Sequence, residues 1–275
     1  AYAANQKYSD ALEYLNLALL LAPFEIDLHK QVAELFEYNN RWSEALGERE
    51  RALDLSEKRE ATDLLHYANC ALQDGQIENS LRCSEQILSE DPENGLAHAY
   101  MGEAYLKLGD DQKALQHLTQ ATLLSPEKAL PWINLATMQN QKGETRKALE
   151  TLRAASLAAP DDSQIHFALG NAYLDADSPS QALPALRLAF QLAPKNPIVA
   201  LKLGETLNQL GHHLEAKQVL GQSRQQHPLN SDLAYTHALT LLALDETQAA
   251  LPSLLTTIQS SPQNVQPYLL YAKIL

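Results

Sequence analysis

Small residues interrupt the apolar stretches of this chain at a fixed phase: Ala33, Ala68, Gly102, Ala136, Gly170, Gly204, Ala238 and Ala272. Twelve residues after each comes a second series, Ala45, Ser80, Ala114, Ala148, Ala182, Ala216 and Ala250, with Ala11 as its earliest copy. Larger apolar residues flank both series, Leu135, Leu169 and Leu203 on the first and Leu118, Leu152, Leu186, Leu220 and Leu254 on the second. Two helices reach the short end of the roughly 8–10 Å interaxial range only where their side chains are small. A small residue at fixed phase on two successive apolar stretches therefore predicts tight antiparallel helix pairs. The marks of strands, sustained alternation and hairpin dipeptides between β-rich runs, do not occur.

Proline sets the period. Pro92, Pro126, Pro160, Pro194, Pro228 and Pro262 each lie 34 residues from the next, and Pro23 lies 69 before Pro92, one step of 34 plus one of 35. A proline here ends the second helix of a pair and leads into the next first helix. Gly75, Gly109, Gly143 and Gly211 occupy one common place between the two helices, where a left-handed residue closes a helix cheaply.

This period and these landmarks resemble the tetratricopeptide repeat, a 34-residue helix–turn–helix unit. The best copies are GLAHAYMGEAYLKLGDDQKALQHLTQATLLSP (95–126) and ALPWINLATMQNQKGETRKALETLRAASLAAP (129–160), the second with the family's preferred tryptophan at Trp132. The resemblance implies an all-α fold, a right-handed α–α superhelix of seven full repeats: 26–60, 61–94, 95–128, 129–162, 163–196, 197–230 and 231–264. Residues 1–25 add mostly a second helix and 265–275 a first helix alone. The expectation is one domain over 1–275 that begins within one repeat and stops within another, as a segment of a longer chain would. Some copies depart from the pattern. Arg49 stands where Leu is usual, Glu57 replaces the proline, and Ser80, Ser84 and Ile87 replace Ala, Leu and Ala, which predicts altered packing over residues 45–90. Pro184 and Pro252 fall within second helices and predict mild distortion of their outer face.

In this family the first helices line a concave groove that carries the ligand contacts. Matching positions give an apolar row, Leu65, Ala99, Ile133, Phe167, Leu201, Tyr235 and Leu269, broken by Lys30. One turn on, the row is polar (Glu34, Asn69, Glu103, Thr137, Asn171, Glu205), and a third row includes Leu72, Leu106, Asn140, Leu174 and Asn208. Apolar pockets beside amides and carboxylates suit a peptide, whose side chains fill the pockets while Asn groups satisfy its backbone. The candidate peptide-binding residues are therefore Leu65, Asn69, Glu103, Ile133, Thr137, Asn140, Phe167, Asn171, Leu201, Glu205, Asn208 and Tyr235. The alternative is that the apolar row only packs against neighbouring first helices. The chaperone-binding members clamp a terminal carboxylate with Lys, Arg and Asn. Here Asn134 and Lys202 stand singly, with Ala99, Glu103, Gln164 and Ala168 as neighbours, which argues against that activity. Groove acids (Asp27, Glu34, Glu37, Glu103, Asp175, Glu205, Asp232) outnumber the bases Lys30, Lys107, Lys202 and Lys273, so a neutral or mildly basic ligand is expected.

Composition narrows the function further. Acids outnumber bases 34 to 21 for a net charge of -13, against the positive surface that nucleic acid or an anionic membrane requires. The longest apolar run, Leu17 to Phe24, is far short of the ~20 residues that span a bilayer. Residues Ala1–Asp10 lack the basic-then-apolar order of a signal peptide, but the chain starts inside the pattern without an initiating Met, so the compartment is left open, with the cytoplasm slightly favoured over the periplasm. Cys70 and Cys83 are expected to be free, buried small residues. No catalytic motif, cofactor loop or metal-ligand spacing stands out. His29, His98 and His166 share the slot of Trp132, and His212, His213 and Glu215 sit at a turn where polar residues are ordinary. The expected function is a non-enzymatic scaffold that holds a peptide or partner protein. The alternatives are a regulatory or targeting arm of a larger enzyme or envelope secretion machine, and self-association through terminal helices bearing Tyr268, Leu269, Tyr271 and Ile274.

Overall fold

The computed structural model describes residues 2–275, with side chains from Tyr8 onward; Ala1, the start of the expected 1–25 repeat, lies outside the described residues. Among the described residues the chain is entirely helical, with sixteen α-helices and no strand. They fall into two compact units, Tyr2–Lys142 and Gly143–Leu275. The first unit contains α1 (Tyr2–Leu21), α2 (Ile26–Tyr38), α3 (Trp42–Leu55), α4 (Ala61–Gln73), α5 (Ile77–Glu90), α6 (Gly95–Leu108), α7 (Asp111–Leu124) and α8 (Ala129–Gln141). The second contains α9 (Thr145–Ala158), α10 (Ser163–Asp175), α11 (Pro179–Leu192), α12 (Pro197–Gln209), α13 (His213–Gln226), α14 (Ser231–Ala243), α15 (Thr247–Ser260) and α16 (Val265–Ile274). In the first unit α2 pairs with α3, α4 with α5 and α6 with α7, and α8 packs on α6 and α7. In the second, α10 pairs with α11, α12 with α13 and α14 with α15, while α16 closes on α15. Even-numbered helices are the first helices of the sequence repeat.

The small-residue slots lie where first and second helices meet. A Cβ built on Gly102 would stand 2.6 Å from Cγ of Leu118; at Gly170 and Gly204 it would meet Leu186 and Leu220 at the same distance. Ala33, Ala68, Ala114, Ala182, Ala216, Ala238 and Ala250 are fully buried. Leu118, Leu186, Leu220 and Leu254 thus form the interior of their own hairpins, against helices close enough to hold them.

Three local devices fix each unit. The turn slot is left-handed in all seven copies, at Gly75, Gly109, Gly143 and Gly211 and equally at Asn40, Asp177 and Asp245, the residue types that tolerate positive φ best after glycine. Two residues beyond the repeating proline, Asn94, Asp162, Asn196, Asn230 and Asn264 cap first helices by accepting backbone N–H groups. Six residues beyond the proline, a side chain reaches back to the proline carbonyl. His29 Nε2, Trp132 Nε1, His98 Nε2 and His166 Nε2 donate to the carbonyls of Pro23, Pro126, Pro92 and Pro160 at 3.0, 3.0, 3.1 and 2.7 Å. The Tyr268 hydroxyl does the same to Pro262 at 3.4 Å. What unites these unlike residues is a donor on a ring of suitable reach.

Packing over 45–90 is altered, as the departures there predict. Arg49 is 3% exposed, and its Nε donates to Glu37 Oε1 at 2.8 Å. Cys70 Sγ–H donates to the same oxygen at 3.1 Å. Glu37 occupies the place of Leu72 in the next copy, and Arg49 that of Leu118 and Leu152 further on, so one ion pair stands in for an apolar pair. Ser84, fully buried at the equivalent position, is too small to replace leucine, and Leu53, Leu64, Tyr67 and Cys83 border a cleft of about 330 Å³ nearby. α11 and α15 run uninterrupted through Pro184 and Pro252, both on exposed positions.

Two stability outcomes follow. Arg49→Leu alone strands the Glu37 carboxylate and should cost about 3 kcal/mol in urea unfolding, whereas Arg49→Leu with Glu37→Leu should restore or exceed the parent's stability. Gly109→Ala should cost about 1 kcal/mol, and Gly109→Asn less than half of that, because asparagine already holds this conformation at Asn40.

Candidate functional site

All the candidate residues lie on first helices. Leu65 and Asn69 are on α4, Glu103 on α6, and Ile133, Thr137 and Asn140 on α8; these belong to the first unit. Phe167 and Asn171 are on α10, Leu201, Glu205 and Asn208 on α12, and Tyr235 on α14, all in the second. The two sets are therefore two patches, one per unit. Thr137 and Glu205 are exposed and the other ten are half-buried. Leu65, Phe167, Leu201 and Tyr235 turn part of their surface onto the core of their own unit and leave the rest outward. In the first unit the apolar row is interrupted by Ala99, which is fully buried, as is Leu72 of the third row.

The polar members divide into engaged and free. Glu103 accepts from Gln73 of α4 at 3.4 Å and from Asn134 of α8 at 3.3 Å, and Lys107 lies 3.9 Å away. One carboxylate thus ties three first helices together. Asn208 donates to Thr240 Oγ1 of α14 at 2.7 Å, and its Oδ1 lies 3.1 Å from His213 Nδ1. Glu205 accepts from Lys202 at 2.9 Å, and Asn140 is engaged as well. Among the described residues, nothing hydrogen-bonds the amides of Asn69 and Asn171.

Comparison with known proteins places this architecture. The family model of the tetratricopeptide repeat matches residues 71–123, 109–171 and 173–240, more than half of the chain. The chain belongs to the tetratricopeptide repeat family. Its repeats support a protein-interaction scaffold, and the family is one whose members typically carry no catalytic apparatus. Among solved structures, yeast Tom70 aligns with a TM-score of 0.69 at 14% identity, over 98% of this chain and 59% of that one. The APC/C hetero-tetramer Cut9–Hcn1 aligns at 0.61 and 18% identity, over 98% of this chain and 53% of that one. The chain therefore spans little more than half the length of either. YrrB, described as a TPR protein with an unusual peptide-binding site, aligns at 0.56 and 20% identity, over 70% of this chain and 98% of that one. At these identities the likeness is one of fold. A search of curated protein sequences finds no match.

Within this tetratricopeptide chain, the residues placed singly for a carboxylate clamp are already spoken for. Asn134 gives its amide to Glu103, and Lys202 pairs with Glu205. Of residues 212–215, expected at a turn, only His212 precedes the helix; His213 and Glu215 lie in the first turn of α13, where His213 faces Asn208 and Glu215 takes two hydrogen bonds from Arg187 at 2.7 and 2.5 Å, which hold its carboxyl below the usual range. Among the described residues no group of His, Cys, Asp and Glu has the arrangement of a metal site, and no helix is long and apolar enough to cross a membrane. Cys70 and Cys83 are free and buried, and burial pushes both thiols up. Of the terminal residues named above, Tyr271 and Ile274 pack on the core of α14 and α15, while Tyr268 and Leu269 are exposed.

One cluster of the tetratricopeptide array went unread in the sequence. Arg224 of α13, His237 of α14 and Ser253 of α15 meet in the second unit. Arg224 Nη1 donates to His237 Nδ1 at 3.0 Å and to Ser253 Oγ at 2.6 Å. The signal was present, since His237 occupies the slot of Leu135, Leu169 and Leu203. Burial first, then the Arg224 charge, drives the His237 imidazole down to about 4.

Because that value lies below the unfolded one near 6.5, the unfolded chain takes up the proton first, and folding loses stability as pH falls from about 6.5 towards 4. Thermal unfolding across this window should show the decline, and His237→Leu should make it shallower.

Proposed function

We propose that this chain holds an extended peptide segment of a partner protein on the first-helix faces of its units. The observation that carries this reading is that each unit's first helices hold half-buried apolar side chains together with an unpartnered amide: Phe167, one turn before Asn171 on α10, with Leu201 and Tyr235 on α12 and α14 of the second unit, and Leu65, one turn before Asn69 on α4, in the first. An asparagine amide offers both a donor and an acceptor, the two groups that an extended peptide backbone leaves open. The unusual peptide-binding site described for YrrB is consistent with such a use of this fold. In the first unit Lys30 is neutralised by Asp63 and Lys107 by Glu103, while Asp27 and Glu34 are exposed and unpaired among the described residues, which favours a neutral or basic peptide there.

The test is capture of partner peptides from a library by the chain and by the double variant Phe167→Glu, Leu201→Glu. Both side chains are only half-buried, so the variant should keep its helical circular dichroism while binding falls at least about tenfold. Asn171→Ala should weaken the same peptides by about 1 kcal/mol. A folded double variant that binds as the parent does would remove the site.

A further inference from the structure

The Arg224 cluster, on α13, α14 and α15, includes none of the candidate peptide-binding residues and has features of a second binding site. Three substitutions relative to neighbouring repeats meet there: Arg224 stands where α11 has Phe190, His237 where α12 has Leu203, and Ser253 where α13 has Val219. A guanidinium can only donate, so Nδ1 of His237 is an acceptor and the ring proton resides on Nε2. That nitrogen lies beside Gly221, whose Cβ, if present, would be 3.6 Å away. The two preceding copies carry Arg153 and Arg187 at the position of Gly221. With glycine there, His237 opens onto a cleft of about 490 Å³ bordered by Lys217, Gln218, Gln222 and Gln225 of α13.

The cleft is rich in donors, and a positive charge, Arg224, lies behind its His237 wall. Nε2 of His237 and the amides of Gln218, Gln222 and Gln225 have no partner among the described residues. Lys217 is neutralised by Glu246 at 2.6 Å. Arg224 is not: it alone among the described arginines is sheltered from solvent and without a carboxylate, since Arg82 and Arg153, the other two lacking one, are exposed. A cation is refused by Arg224 and finds a hydrogen, not a lone pair, on the imidazole. A neutral carbonyl would use the donors but leave the charge uncompensated.

We propose that the α13–α14 cleft binds a carboxylate, with His237 Nε2–H as the direct donor and Arg224 supplying the charge behind it. The group could come from an aspartate or glutamate side chain of a partner protein or from a free small carboxylate, and the experiment separates the two. The His237 ring ¹⁵N–¹H correlations at neutral pH are followed while acetate replaces chloride at constant ionic strength, and in parallel while a blocked oligoglutamate peptide or its glutamine counterpart is added. The Nε2 signal should shift saturably with acetate and with oligoglutamate. Saturation by the peptide at a concentration at least about tenfold lower identifies a partner's side chain, and equal concentrations identify a small carboxylate. Arg224→Gln should weaken the response about tenfold or more. Gly221→Arg leaves the cluster intact, restores the side chain of the preceding copies and should abolish the response, which keeps the test open if Arg224→Gln unfolds. No shift, an equal shift with the glutamine peptide, or a full response in Gly221→Arg would overturn the proposal.

Discussion

Every hairpin in this chain depends on how closely a first helix can approach its second. The distance is set by one residue without a large side chain: at Gly102, Gly170 and Gly204 even a methyl would intrude to 2.6 Å on Leu118, Leu186 and Leu220. Close approach in turn makes those leucines the interior of the hairpin, and a hairpin thin enough to stack keeps its core continuous with the next. The left-handed turn, the Asn or Asp cap and the donor that reaches back to the proline carbonyl add smaller terms. They fix where each helix starts and stops, so that the small residue and its leucine arrive at the same level.

This constraint explains what could be read from the sequence. Spacing of prolines and small residues gave the helices and their pairing because both recur with the fold's own period. Less legible were features where chemistry is conserved but residue type is not. The left-handed slot is visible at Gly109 but is equally present at Asp177 and Asp245. A ring donor six residues after proline links His98, Trp132 and Tyr268, which composition would never group. The division at Gly143, within the repeat 129–162, had no sequence marker, since that turn glycine matches the others in φ. Of the candidate site, spacing identified the helices and the outward side chains. Which amides are free depends on neighbours 30 or so residues away, such as Gln73 and Asn134 around Glu103, and no single-repeat pattern contains that.

Two sheltered arginines stand in apolar slots, Arg49 in that of Leu118 and Arg224 in that of Phe190, with opposite electrostatic outcomes. At Arg49 a carboxylate arrives with the guanidinium, because Glu37 sits in the matching slot of the partner helix, and the pair closes on itself with a thiol as third member. Such a pair replaces an apolar contact at little net gain, and although Arg49 Nη2 is left without a partner, its charge is already met by Glu37. At Arg224 no carboxylate arrives. The charge is passed to a neutral imidazole and a hydroxyl, neither of which can cancel it. Desolvation then lowers the affinity of both Arg224 and His237 for protons, a cost that the fold bears and that an external anion would relieve.

The same distinction sorts the polar side chains of the first helices. Glu103 and Asn208 look like ligand contacts in a single repeat, yet each spends its polar atoms bridging adjacent first helices. They set the spacing of the face. Asn69 and Asn171 are half-buried without such bridges. A half-buried amide that bonds nothing in its own chain gives up part of its hydration for no internal return, a loss on the order of 1 kcal/mol or more. The residues that stabilise the array and those able to serve a guest therefore exclude one another, since each amide can satisfy only one set of partners. On the proposed reading a guest would bind where the repeats fail to bond each other, and among the described residues each unit has one such first-helix asparagine.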